Sequence, residues 1–364
     1  MSLLLRIVSS TRAASTSLSR APGIVAVRAF SMDNKAKPNM ALIKELREAS
    51  GAPIVDCKNA LAAEGVDGDI AQAFQWLRKR GIAKATSMAD RSANEGLIGM
   101  RVDGPHGALV EVNSETDFVA RNAKFQGFVE KVLEVALERA KKGAAAGAGA
   151  GAAMRELNVQ DLLSTQHPGS GELLSDTLAQ LVGAIRENIT ISRANVLSLG
   201  DGQGVVAGYV HGAIGAGMGK NAALVALKLG KILAVTHAAK RIGGATDALD
   251  ASARSLAMHV VAARPSFLDE ASAPPAALQK EKDLLLEQAK GSGKDPKVLD
   301  RMVEGRLRKY LETNALMRQA HIVAEGNPRV ADHLASLGEE VGGTVTLEGF
   351  ARLSVGERES PSSG

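Results

Sequence analysis

Apolar positions along the chain switch between helical and strand-like spacing, and the order of these runs predicts the architecture. Leu42, Ile43 and Leu46 share one face of a first helix that stops near Ser50-Gly51. A second helix runs from about Val55 to Glu64, with Gly65 as its stop. Asp67-Gly68-Asp69 caps a third, in which Ile70, Phe74 and Leu77 recur at i, i+4 and i+7. Residues 82–93 read as a polar connector. Strands are predicted at 96–102 and 108–112, joined by the turn-forming Asp103-Gly104-Pro105-His106-Gly107. A polar stretch then leads into a helix reaching about Lys142, with Phe125, Phe128, Val129 and Val132 on its apolar side.

Further along, Leu174, Leu178, Leu181 and Ile185 keep helical register within 172–190, and residues 189–193 alternate like a strand. A second sheet is predicted from 205–211 and 223–229, and a helix over 246–263 ends before Pro265. Two helical runs, 275–290 and 297–312, are split by Gly291-Ser292-Gly293-Lys294-Asp295-Pro296 and predict an antiparallel hairpin. Strand structure returns over 341–355. The fold class is therefore α+β. An N-terminal three-helix domain (38–82) precedes a core of two α/β subdomains with small antiparallel sheets (94–198 and 199–274, resumed at 319–357). The hairpin is inserted at 275–318, a Gly/Ala-rich insertion at 143–153 reads as a flexible surface segment, and 358–364 reads as a loose tail.

Composition narrows the function classes. The 364 residues are 45% hydrophobic but only 3% aromatic, which argues against a stacking platform for single-stranded nucleic acid. One cysteine, Cys57, excludes an intramolecular disulfide. No apolar run approaches the length of a membrane span. The net charge of +4 resides in residues 1–30, which hold Arg6, Arg12, Arg20 and Arg28 and no acid; the other 40 basic residues balance 40 acidic ones. The chain beyond the leader thus gives no warrant for a nucleic-acid footprint. The leader itself, rich in Ser and Arg with Leu3, Leu4, Leu5, Ile7 and Val8, has the composition of a transit peptide. Arg28-Ala29-Phe30 before Ser31 looks like a mitochondrial processing site; a plastid address is the alternative, and the short length and periodic arginines favour the mitochondrial matrix.

The segment richest in candidate chemistry is Val112-Asn113-Ser114-Glu115-Thr116-Asp117-Phe118-Val119-Ala120-Arg121-Asn122. Thr116 or Asp117 can cap the helix that follows, and Asp suits the positive end of its dipole. From spacing alone, this is a capped helix with Phe118 in the core. The wording of the segment, however, resembles the Thr-Asp-Phe-Val signature of the elongation factor Ts family. The stretch from Leu46 to Leu61 resembles that family's opening motif. Glu187-Asn188-Ile189, Tyr209-Val210-His211-Gly212, Ala257-Met258-His259, Lys294-Asp295-Pro296 and Met302-Val303-Glu304-Gly305-Arg306 follow in the family's order, and Phe350-Ala351-Arg352-Leu353-Ser354-Val355-Gly356-Glu357 resembles its last strand. The resemblance covers roughly residues 40 to 357.

It implies a ubiquitin-associated-like (UBA-like) N-terminal domain, a protruding coiled coil, and a guanine nucleotide exchange factor with elongation factor Tu as partner. No cofactor, membrane or direct nucleic-acid contact is implied, and the oligomeric state stays open. Carried over, Phe118 inserts between helices of the partner's GTPase domain, Asp117 helps displace the elements that hold magnesium, and Thr116 and Val119 shape the junction. His211 and Gly212 fall in a motif near the partner surface; His211 reads equally as a contact and as a strand-end residue. Two departures stand out. Gln319-Ala320-His321 occupies the place of an expected Gln-Pro-Phe, which puts the packing at the hairpin base in question, and the Gly/Ala insertion is foreign to the compact bacterial pattern.

Enzymatic readings fail on particular residues. A phosphate loop over Gly215-Ala216-Gly217-Met218-Gly219-Lys220 would need glycine where Ile214 stands and a hydroxyl where Asn221 stands. The seven histidines are scattered without zinc-helix spacing. Cys57 and His259 read as buried and inert. The competing functions are a ubiquitin-binding adaptor built on the N-terminal helices and a small-molecule enzyme using the 212–219 loop.

Overall fold

The structure, a computed structural model, describes residues 39–145, 153–200, 204–230, 238–290 and 296–357. The leader, most of the Gly/Ala insertion, the 291–295 link and the 358–364 tail lie outside these. Three helices come first: α1 (Met40–Ser50), α2 (Ile54–Leu61) and α3 (Ile70–Met88). Gly51 ends α1 in the left-handed conformation at φ 64°, and Asp69 Oδ1 caps α3 by accepting from the Gln72 N–H. Ile43, Leu46, Cys57, Ala60, Leu61, Val66 and Ala73 form a small core of their own, with Trp76 against it. The expected connector at 82–93 is a misreading in its first half. Helix α3 continues to Met88 because Ala83, Lys84 and Ala85 are strong helix formers, and Ala85 and Met88 pack on the main core. Helix α2 also stops at Leu61, short of Gly65.

Strands β1 (Glu95–Asp103) and β2 (His106–Ser114) form the expected hairpin. A 3-10 turn (Asp117–Arg121) and helix α4 (Ala123–Ala145) follow, then β3 (Ala153–Glu156), α5 (Val159–Leu163), α6 (Leu174–Ile185) and β4 (Ile189–Ser198). Next come β5 (Gly204–His211), β6 (Met218–Gly219), β7 (Asn221–Leu229) and α7 (Ala238–Ala263). The hairpin helices α8 (Pro275–Lys290) and α9 (Pro296–Asn314), helix α10 (Val330–Val341) and β8 (Val345–Ser354) complete the chain. Helix α7 begins before residue 246, at Ala238, and runs through Gly243-Gly244, whose low helix propensity hides this first part from the sequence pattern. Val341 ends a helix rather than opening the last strand.

One antiparallel sheet has the order β3-β4-β2-β1-β6 and the other β5-β7-β8. They lie face to face between helices. Leu97, Val110, Val112 and Val196 point to α4 and α6, while their neighbours Ile98, Leu109 and Leu197 pack on Leu224, Ala226 and Leu353 of the second sheet. The far face of that sheet, with Ala223, Val225 and Leu227, carries α7 and α10. This four-layer arrangement explains why Ala108-Leu109-Val110-Glu111-Val112 reads as nearly continuous apolar sequence: it is buried on both faces. Its one charge, Glu111, is 2% exposed and is held by Arg193, whose Nε lies 2.7 Å away, and by the Gly356 N–H at 2.8 Å.

Helices α8 and α9 run antiparallel, since Leu286 packs with Leu299 and Val303 while Leu278 packs near Tyr310 and Leu311. At their base, the altered segment is well integrated. Gln319 donates to the Thr313 carbonyl at 2.6 Å, its Oε1 sits 2.9 Å from His259 Nε2, and His321 is fully buried. Among the described residues no helix is long and apolar enough to cross a membrane.

Candidate functional site

Phe118 is 80% exposed, the most exposed large apolar side chain among the described residues. Its neighbours explain how a phenyl ring stays in water without unravelling the turn. Val119 and Ala120, the next two residues, are buried in the main core. Gln126 Nε2 holds the Ala120 carbonyl at 2.9 Å, and Ser114 Oγ holds the Thr116 carbonyl at 2.9 Å. Asp117 is exposed beside the ring. The core placement of Phe118 that spacing alone favours is therefore wrong: a 3-10 turn lies where a helix start was expected, and it turns positions 117 and 118 outward while 119 and 120 turn in.

The expected cap is also reassigned. Thr116 makes no side-chain capping bond; its Oγ1 and N–H are both taken by Glu187, at 2.7 and 2.9 Å. The first turn of α4 is served instead by Asn122 Oδ1, which accepts from the Lys124 N–H at 2.9 Å. Glu187 belongs to a tight turn between α6 and β4. There Arg186 takes positive φ (68°), and Asn188 donates through Nδ2 to the Arg91 carbonyl at 2.6 Å while its N–H donates to Glu115 Oε1 at 2.6 Å. Arg186 reaches Asp56 of α2 at 3.3 Å, and Lys84 reaches it at 3.1 Å. Burial works to raise the Asp56 pKa, but the hydrogen bonds and charges of Lys84 and Arg186 prevail and hold it below the usual carboxylate value.

Other elements gather at this end. Lys124 Nζ donates to the Gly51 carbonyl at 2.7 Å, which ties the end of α1 to the start of α4. The exposed Ile54 and Val55 follow Gly51 within four residues. Gly215 faces Gln126, so the glycine-rich turn of residues 212–217 lies beside the 3-10 turn. That turn links strands, as its sequence implies: Ile214 packs on the core, and the Gly217 carbonyl accepts from the Met100 N–H at 2.7 Å. His211 and Gly212 are exposed at the end of β5, with Tyr209 Oη 3.3 Å from His211 Nδ1. Cys57 and His259 are buried as expected, and burial pushes the Cys57 thiol pKa up. Among the described residues no group of three His, Cys, Asp or Glu side chains is arranged to hold a metal. Sequence reasoning gave Glu187, Lys124 and Gln126 no role at the turn; only Glu187 carried a signal, as part of the Glu187-Asn188-Ile189 motif.

An exposed ring on a turn that is held to the two-sheet scaffold is a geometry suited to docking on another macromolecule. The family model described as "Elongation factor TS" matches residues 115–357. Over 322 residues the chain is 42% identical to the elongation factor Ts of Paramagnetospirillum magneticum, covering 88% of this chain and 92% of that relative. The figures are 40% over 322 residues for that of Rhodospirillum centenum (88% and 94%) and 38% over 319 residues for that of Rhizobium etli (87% and 92%). The chain belongs to the elongation factor Ts family, nucleotide exchange factors, not enzymes, that serve elongation factor Tu in translation elongation.

Proposed function

We propose that Phe118 is the exchange wedge of this protein and that Asp117 is its polar partner. Exchange requires tighter binding to the nucleotide-free GTPase than to its GDP form, and linkage then weakens GDP binding by the same ratio. Each 1.4 kcal/mol of this coupling is about tenfold in affinity. Burying a phenyl ring on docking supplies roughly 1.5–3 kcal/mol, and helices forced apart must move because packed cores resist compression. Asp117 adds a negative charge beside the ring, where it opposes the elements that hold magnesium. Without the metal, GDP loses its counter-charge and leaves. Thr116 and Val119 set the junction, and His211 and Gly212 provide a second contact.

The observation that carries this reading is the 80% exposure of Phe118 between residues that are firmly held. The test is release of a fluorescent GDP analogue from elongation factor Tu with the full chain at substoichiometric amounts. Wild type is expected to accelerate release catalytically and Phe118→Ala to lose most of that effect with its melting temperature unchanged. Equal stimulation by both proteins rules out the wedge.

The remaining assignments belong to the same reading. The three N-terminal helices form a UBA-like docking domain (38–82, with α3 extending beyond it), the core comprises subdomains 94–198 and 199–274 with 319–357, and α8 and α9 form a coiled coil (275–318). Residues 1–30 direct the protein to the mitochondrial matrix. A fluorescent reporter fused behind these residues is expected in mitochondria; accumulation in plastids would select the alternative address.

A further inference from the structure

We propose that Glu187 is a positioning residue of the exchange surface: its carboxylate sets the angle at which the Phe118 turn leaves the scaffold. The inference rests on the wedge reading above. Glu187 is 71 positions from Thr116 in sequence, yet both of its oxygens bond to that one residue, Oε1 to the hydroxyl at 2.7 Å and Oε2 to the N–H at 2.9 Å. Such a two-point, charge-assisted grip fixes orientation as well as distance. Thr116 is extended, at φ −123° and ψ 156°, and is the last residue before the 3-10 turn. Rotation there swings a ring two residues downstream, and a misplacement of about 1 Å can cost on the order of a hundredfold in rate.

The residues on either side of Glu187 hold other parts of the same end. Arg186 binds Asp56 of the N-terminal helices, and Asn188 binds the Arg91 carbonyl in the segment leading from α3 to β1. Asn188 also closes a second link to the junction, through its N–H to Glu115 Oε1 at 2.6 Å. Three consecutive residues of the α6–β4 turn therefore bind the N-terminal helices, the wedge and the connector. Glu187 is the member that holds the wedge. Its side chain is half-buried and points at the turn from the scaffold side, whereas Phe118 points to solvent.

The experiment measures GDP release from elongation factor Tu with full-length Glu187→Ala, Glu187→Gln, Thr116→Val, the Glu187→Ala/Thr116→Val double variant and Phe118→Ala. Both the maximal rate at saturating factor and the half-saturating concentration are read, together with each melting temperature. Glu187→Ala is expected to lower the maximal rate about tenfold, with the half-saturating concentration within about twofold. Glu187→Gln, whose amide oxygen still accepts the Thr116 N–H, is expected to recover to within about threefold of wild type. The double variant is expected to lose no more than Glu187→Ala alone, because the carboxylate acts through Thr116. The inference is overturned by a wild-type maximal rate in Glu187→Ala while Phe118→Ala is impaired, by losses that multiply in the double variant, or by a loss that follows the melting temperature and is not recovered by Gln. Wild-type exchange by Phe118→Ala marks a different failure, that of the wedge itself.

Discussion

Two regions of this protein invert the ordinary rule of burial, in opposite directions. The Asp117–Arg121 turn holds a phenyl ring in water, at 80% exposure. The base of the helical hairpin buries imidazoles: His259 and His321 are fully enclosed, His333 is half-buried, and the rings lie 5.2 and 4.9 Å apart in sequence order. The first inversion costs folding little, since an unburied ring leaves no polar group unsatisfied, and it leaves apolar surface open to solvent, as the proposed wedge requires. The second has a stability cost that appears only when protons are abundant. Ser252 Oγ lies 2.9 Å from His333 Nε2 and Gln319 Oε1 lies 2.9 Å from His259 Nε2, so the neutral rings are accommodated. Among the described residues no acidic group offsets a proton on His321: burial first, then the charges of His333 and His259, bring its pKa down to about 4.

The sharpest test of the first inversion pairs Phe118 with Phe125, seven positions on and fully buried against the main sheet. Phe125→Ala should cost about 3–5 kcal/mol through lost burial and a cavity. Urea titration of both alanine variants measures the contrast. A small loss in Phe125→Ala would mean that α4 is not a principal support of the sheet.

The second inversion predicts a pH window. His321 is neutral in the fold, with a pKa lowered from 6.5 to about 4, so the unfolded chain binds the proton more readily between those values. Stability is therefore complete above about pH 6.5 and is lost as pH falls towards 4, by at most about 3 kcal/mol for this one group. His259 and His333 are lowered in the same direction by burial and steepen the loss. Melting temperatures between pH 7.5 and 4.5 check it; a flat profile would show that the rings gain water or an anion when charged.

His321→Phe separates the histidine effect from general acid sensitivity. The ring's hydrogen bonds are long, 3.4 Å to both Ser255 Oγ and the Val323 N–H, so little is lost with them. At neutral pH the change should cost about 1–3 kcal/mol, because the larger ring must be fitted into a fully buried site. The acid-induced drop should shrink. An unchanged drop would place the sensitive group elsewhere.

These two regions also show what sequence can and cannot reveal. The β1–β2 hairpin, α6 and the two long hairpin helices follow from periodicity, because each buries a face its own spacing defines. The short β3, α5 and β6 and the 3-10 turn do not, since a few residues carry no period. Thr116 looked like a cap because capping chemistry is local, whereas its partner, Glu187, arrives from across the fold. The histidines at 259, 321 and 333 looked scattered because only the packing of α7, the hairpin base and α10 brings them together. The family motif marked Phe118, but motif wording carries no exposure; that required the turn geometry.

The smallest expected effect is the most diagnostic for the comparison. Replacing Phe118 with Ser removes a ring that has almost no contact to lose in the free protein, so stability should change by no more than about 0.5 kcal/mol. The backbone of the turn would keep its supports, because those belong to Thr116, Val119 and Ala120 rather than to the ring. Denaturant midpoint and slope together decide the matter. An unchanged slope with an unchanged midpoint means the ring is solvated in both states. A loss above about 1 kcal/mol would mean that Phe118 packs against the scaffold before any partner arrives, and the ring would then have to be pulled free before it could act.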